Sequence, residues 1–208
     1  MARPTKPIIS RERAASAALA VIDTVGLDEF GLNLVAARLG VKAPSLYHHF
    51  EGKSELLAEV ARILLIEGRL PTAKSGMDWR EEIVRISLAS WQSVLRHPNA
   101  APLLLRFFPR LLLIDAYEHW AKVFTLNGVP AEWQVIILEG SEKLTFGSAL
   151  FAAASRSFGL PPFPTYDNQV HTNLTAAIRA HSLDDEGTFV ECLRAFLRGL
   201  PINERAPQ

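Results

Sequence analysis

The chain has 208 residues, 49% of them hydrophobic, and its 22 basic and 22 acidic side chains leave a formal net charge of zero. That length holds one large domain or two modest ones with a sizeable core. Charge neutrality argues against affinity for nucleic acid through bulk positive charge, so any such contact must come from a local arrangement of groups.

In chain order, Arg3, Lys6, Arg11 and Arg13 stand against Glu12 alone, a basic arm that suits a phosphate or minor-groove contact as readily as an ordinary terminus. Ser10 to Gly26 carries apolar or small residues at Ala14, Ala18, Leu19, Val21, Ile22 and Val25, a helical period closed by Gly26. The segment from Asn33 to Phe50 reads as a helix, a glycine-marked turn and a second short helix. Ala36 is small enough for the second helix to cross close to the first. Gly40 can take the left-handed conformation that ends the first helix. Val41 and Leu46 can fill the angle between the two, which leaves Lys42, Ala43, Ser45, Tyr47 and His48 outward. This is the spacing of a helix-turn-helix. Gly52 as N-cap, with Ser54 and Glu55 in a first turn, opens the next helix.

Residues 71–78 make a natural break. Asp78 and Glu81 resemble a capping box for a helix to about Arg96, with Trp79, Ile83, Ile86, Leu88, Trp91 and Leu95 on its apolar face. His97-Pro98 ends it. A short apolar helix near 100–107 is followed by a break at Pro109. A longer helix from about Arg110 to Leu126 stops at Asn127-Gly128. Pro130 opens a long helix to about Arg156. After a loop with Pro161, Pro162 and Pro164, helices near 169–181 and 184–200 complete the chain. No segment alternates like a strand, so the fold class is all α, with about ten helices. The longest apolar-looking run, 144–155, is too short and too rich in small polar residues to span a membrane. No signal-peptide core precedes the first helix. The single cysteine, Cys192, allows no internal disulfide and no CxxC metal motif, and reads as a small buried hydrophobe of an intracellular protein.

The run Leu-Gly-Val-x-x-Pro-Ser-Leu-Tyr-x-His-Phe-x-x-Lys-x-x-Leu from Leu39, together with Ala18-Leu19-Ala20, Gly26, Phe30 and Val35-Ala36, resembles the tetracycline-repressor (TetR) family of bacterial transcription regulators. The resemblance implies roles at matching positions. Tyr47 and Lys53 would anchor phosphates. Lys42, Ala43, Pro44, Ser45 and His48 would face the major groove, with Asn33 near the start of the first helix of the pair. Gly31 and Asn33 depart from the common pattern, which often has Thr or Ser and Arg there. The implied organisation is an arm and DNA-binding head over 1–53, a connecting helix over 54–70, and a ligand-binding and dimerisation domain over 71–208.

In the branch closest to the tetracycline repressor itself, two late helices of each subunit form a four-helix bundle. Their counterparts here are about 131–156 and 184–200. Gly140 and Gly147 would let helices approach, and Phe189, Leu193, Phe196 and Leu197 form an apolar stripe that could seat a partner or pack within the monomer. Trp91, Phe107, Phe108, Tyr117, Trp120, Phe124, Phe146 and Phe151 are concentrated in the middle helices and could line a ligand cavity or fill a core, with His97, His119 and His171 as polar candidates. The family's tetracycline–magnesium ligands would fall near Leu104 and Leu150, which favours an apolar or weakly polar effector and no metal or other cofactor. Adjacent His48 and His49 point about 100° apart on a helix and are poor co-ligands.

The expected function is a homodimeric, ligand-responsive repressor of palindromic double-stranded DNA, cytoplasmic and nucleoid-associated when bound. An enzyme reading finds no GxSxG, GxGxxG, P-loop, HExxH or paired-carboxylate motif to support it.

Overall fold

The structure is a computed structural model that describes residues 9–68 and 78–202. Arg3, Lys6 and most of the break at 71–78 lie outside the described residues. Among those described, the chain forms nine α-helices, two short 3-10 helices and no strand.

Helix α1 (Arg11–Val25) starts at Ser10, whose hydroxyl accepts the Arg13 N–H at 3.1 Å, and ends at Gly26, as the sequence predicts. Helix α2 (Leu32–Leu39) ends at Gly40, held left-handed at φ 69° and ψ 31°, with its N–H directed to the Ala36 and Ala37 carbonyls. A side chain with a Cβ is disfavoured in that conformation. The second helix of the pair is a 3-10 helix, Ala43–His48. Its six residues and an early Pro44, which donates no N–H, favour the tighter winding. Helix α3 (Lys53–Glu67) then runs out of this head.

The body contains α4 (Trp79–Arg96), α5 (Leu103–Phe107), a 3-10 turn at Arg110–Leu113, α6 (Ile114–Leu126), α7 (Ala131–Phe158), α8 (Thr172–Ala180) and α9 (Asp185–Arg198). The helix predicted from about Arg110 therefore opens as a 3-10 turn without a buried residue. Asp78 caps α4 by accepting the Arg80 N–H at 3.1 Å, but the capping box is not closed. Glu81 instead receives the Arg194 guanidinium of α9 at 2.9 Å, because a charged partner is available there.

Helix α3 packs on α1 in the head and on α4 and α5 in the body, while α4 lies against both α7 and α9. One hydrophobic core runs through both parts, from Ile22, Leu46 and Val60 to Trp91, Phe124 and Ile137. Gly68 marks a close approach: a Cβ there would lie 2.8 Å from the Ser90 Cα of α4.

The apolar stripe of α9 points inward. Phe189, Leu193 and Leu197 are buried, with Phe189 stacked on Trp91 at 5.7 Å, and the Phe196 ring occupies the space a side chain on Gly140 would need. These residues are core of the monomer and not the expected dimer surface. The stripes of α7 and α9 cover each other within one chain, and removing their apolar area from water is what chiefly drives the packing. Of the two expected glycines, Gly147 opens onto free space. Cys192 lies on the outer side of α9 and is exposed, contrary to the expectation of a buried thiol.

Candidate functional site

The head is built around Leu46, 1% exposed, which fills the angle between α2 and the 3-10 helix. The turn is tied by the Val41 N–H to the Ala36 carbonyl at 3.0 Å and the Ser45 N–H to the Lys42 carbonyl at 2.9 Å. The Leu46 carbonyl accepts both the His49 and Phe50 N–H groups, at 2.9 and 3.0 Å. With its inward face fixed, the segment turns the other side out. Asn33, Lys42, Pro44, Tyr47 and His48 are exposed, while Ala43 and Ser45 are half-buried and Ala43 packs on the core. The Lys42 side chain makes no hydrogen bond or ion pair among the described residues.

Two cations brace this face from behind. Arg11 donates to the His49 carbonyl and to Glu55 at 2.6 Å, and its guanidinium lies 4.5 Å over the Phe50 ring. It is a strut from α1 to α3 rather than a free cation of the basic arm, because a carboxylate, a carbonyl and an aromatic face converge on it. Glu55 also accepts the Glu51 N–H at 2.6 Å. That backbone bond first, and Arg11 second, hold its carboxyl below the ordinary value. Lys53 donates to the Phe30 carbonyl at 2.8 Å and lies 5.1 Å over the Phe30 ring. An ammonium has three donors, so two N–H bonds remain for a phosphate.

Where head meets body, His97 stands between two carboxylates. Its Nδ1 is 2.8 Å from Asp23 of α1, and its Nε2 is 3.3 Å from Glu67 at the end of α3. Asn99 donates to the Asp23 carbonyl at 3.1 Å. His97 is thus a joint residue and not the cavity residue expected from sequence.

The body holds a cavity of about 450 Å³ among α3, α4, the 3-10 turn at Arg110–Leu113, α6 and α7. Of the predicted lining residues, Tyr117, His119, Trp120 and Phe146 face it, and His171 does not. Trp91 and Phe124 are fully buried core, with Trp91 donating to Ser148 at 3.1 Å and Phe124 edge-on to Trp79 at 5.2 Å. Phe107 packs on the core away from the cavity, and Phe151 is 82% exposed on the outer face of α7. Each of these aromatics has the right composition for a pocket but a neighbour, or solvent, on the decisive side.

Apart from Tyr117 and His119, sequence reading missed the cavity's polar groups: Ser87, Ser90, Asp115, Ser141, Glu142 and Thr145. Glu142 was the visible signal, a lone acid among Ile137, Ser141, Thr145 and Ala149 of the buried α7 face. Tyr117 donates to Glu142, and Arg110 lies 3.5 Å from its other oxygen. Burial, then the bond to Glu142, pushes the Tyr117 phenol well above its ordinary value, so it remains a donor at any physiological pH. Leu65 and Gly68, at the end of the helix that leaves the head, also line the cavity.

A braced, outward-facing helix-turn-helix on an all-helical body with a cavity defines a class: DNA-binding regulators of transcription. Residues 15–60 match the family described as "Bacterial regulatory proteins, tetR family". The match covers the helix-turn-helix head of the chain. An HTH-type transcriptional regulator of Saccharopolyspora erythraea is 33% identical over 99 residues, which cover 48% of this chain and 42% of that relative's length. Tetracycline repressor protein class D of Escherichia coli is 25% identical over 199 residues, 93% of this chain and 90% of that one. A TetR variant from Acinetobacter baumannii AYE, solved in complex with minocycline, shares the fold with a TM-score of 0.75 at 22% identity over 92% of each chain. These relatives are regulators and not enzymes. Among the described residues no helix is long and apolar enough to cross a membrane.

Proposed function

We propose that this protein is a homodimeric repressor that leaves a palindromic operator when a small organic molecule enters the body cavity. The observation that carries the reading is that one helix, α3, belongs to both sites. It begins at Lys53 beside the outward face of the head and ends at Leu65 and Gly68 in the cavity wall. A ligand that favours a different seat for the end of α3 would shift the head with it, and only differential affinity for the two arrangements can drive the change.

In the DNA-bound form, Tyr47 and Lys53 would hold phosphates and fix register, and Lys42, Ser45 and His48 would read base edges, with Asn33, Ala43 and Pro44 at the groove wall. Two heads would enter major grooves about 34–36 Å apart. The dimer surface would be the outer sides of α7 and α9, where Gly147 is open and Phe151 and Phe158 are 82% and 74% exposed. Aromatic rings left this far in water favour a covering partner. The division is head and arm over 1–53, connector over 54–70 and body over 71–208, in a protein that works in the cytoplasm on the nucleoid.

The test is a fluorescence-anisotropy titration against the DNA upstream of the protein's own gene and against random DNA at moderate salt. Preference for the upstream DNA at a stoichiometry of two chains per site is the expected result. Equal affinity for both DNAs sinks the reading.

A further inference from the structure

The cavity carries information on the charge of its ligand. Among the described residues that line it there is no lysine or arginine, while Asp115 and Glu142 bring two carboxylates. Asp115 is exposed at the rim with no partner among the described residues. Glu142 is deeper, 19% exposed, and its two oxygens take Tyr117 on one side and Arg110 on the other. The wall beside it is aromatic, with Trp120 and Phe146. Aromatic faces and a carboxylate together attract an organic cation and repel an anion.

A further observation indicates a ligand rather than an accidental void. Ser141 is 7% exposed, lines the cavity, and its hydroxyl has no hydrogen-bond partner among the described residues. Ser87, on the facing helix α4, lines the cavity opposite it. A buried hydroxyl left unpaired, as that of Ser141 is, costs stability unless something supplies the bond.

Arg110 is the remaining piece. It starts the 3-10 turn whose Leu112 and Leu113 line the cavity but is not itself a lining residue, is 64% exposed, and meets Glu142 at the long distance of 3.5 Å. An exposed pair of this kind contributes little. The Phe108 ring, 5.5 Å from the guanidinium, offers Arg110 a second partner if it leaves Glu142.

We propose that the effector is an aromatic organic cation whose charge replaces Arg110 on Glu142 and whose hydrogen-bonding edge meets Ser87 and Ser141. The inference rests on the ligand-released regulator reading and narrows it to one class of molecule. Arg110 acts as a tethered counter-ion that the ligand displaces, and the 3-10 turn that carries it is released at the same moment.

Calorimetric titration of the full chain with three flat three-ring probes tests this: the aminoacridinium cation, neutral acridine and anthracene carboxylate. The cation is expected to bind at least about tenfold more tightly than acridine, and the anion not detectably. Glu142→Gln should abolish the cation's advantage while leaving acridine unchanged, which shows the variant is folded. Arg110→Gln should act in the opposite sense and raise affinity for the cation alone, because a competitor is gone. A purely structural Glu142–Arg110 pair would lower both. Binding of the anion as tightly as the cation, a cation preference that survives Glu142→Gln, a loss on Arg110→Gln, or no binding of any probe overturns the proposal. The operator titration uses none of these molecules, so the regulator reading stands or falls separately.

Discussion

His97 Nδ1 lies 2.8 Å from the Asp23 carboxylate, the contact by which the end of α4 holds the last turn of α1. The same ring reaches Glu67 at 3.3 Å, so one imidazole touches both helices of the head that abut the body. The proposed release by a ligand requires the head's position to depend on the body, and this joint would give that dependence a specific chemical form.

Replacing His97 with Ala removes the joint without opening the hydrophobic core. Operator affinity in the absence of ligand should change by no more than about threefold, while the ligand's effect on DNA binding should shrink by about tenfold. Asp23→Asn should give a weaker version of the same phenotype. Anisotropy titrations with and without ligand read both quantities. An undiminished ligand effect in His97→Ala would show that coupling runs elsewhere, through the Leu65 end of α3.

On the head, Tyr47→Phe and Lys53→Ala should weaken binding to every sequence alike, with Lys53→Ala reducing the salt slope by about one. His48→Ala and Lys42→Ala should instead change which operator variants are preferred, at about 1–3 kcal/mol per lost base contact. A panel of single-base operator variants at two salt concentrations separates the two behaviours.

Inside the body, Trp91 stacks on Phe189 and donates to Ser148. Trp91→Ala should cost about 3–5 kcal/mol in urea unfolding, the usual range for deleting a large buried aromatic. If the same substitution left stability unchanged but abolished ligand binding, Trp91 would be a cavity residue after all.

The α7 outer face separates packing from association. Nothing lies within 4 Å of a Cβ at Gly147. Gly147→Arg should therefore preserve the monomer fold and convert dimer to monomer in sedimentation, with operator affinity falling accordingly. Gly140→Val, pressed against Phe196, should instead lower stability by about 1–3 kcal/mol through overpacking.

Acid should act on the head through Glu55. Its carboxyl is held below the ordinary value of 4.5 by the Glu51 N–H and Arg11. A depressed folded value means the contribution is fully present above about pH 4.5 and is lost as pH falls through the lower, folded value. Glu55→Gln should flatten the decline in unfolding midpoint between neutral pH and about pH 3. The effect should be modest, since the group is exposed.

What was legible in the sequence was local. Gly40, Ala36, Val41 and Leu46 lie within eleven residues, and each one's task is fixed by chain geometry alone. The periods of α4, α7 and α9 were legible for the same reason. Which surface each apolar stripe meets was not. Phe189, Leu193 and Leu197 announce a stripe that must be buried, but an amphipathic helix does not say against what. On α6, Trp120 and Phe124 are one turn apart and alike in sequence, yet one faces a cavity and the other is sealed against Trp79 of the much earlier α4.

Turn geometry, capping and periodicity act over a few residues, so the amino-acid order was enough to specify the helix-turn-helix, its outward face and the all-helical class. It took the packed fold to show that Arg11 braces the head, that His97 joins head to body, that the α9 stripe is internal, and that Glu142, Ser87 and Ser141 share one cavity. Those relationships join residues from distant parts of the chain. They depend on which helices lie side by side, and that choice is settled by the shape and burial of the whole core rather than by any one segment.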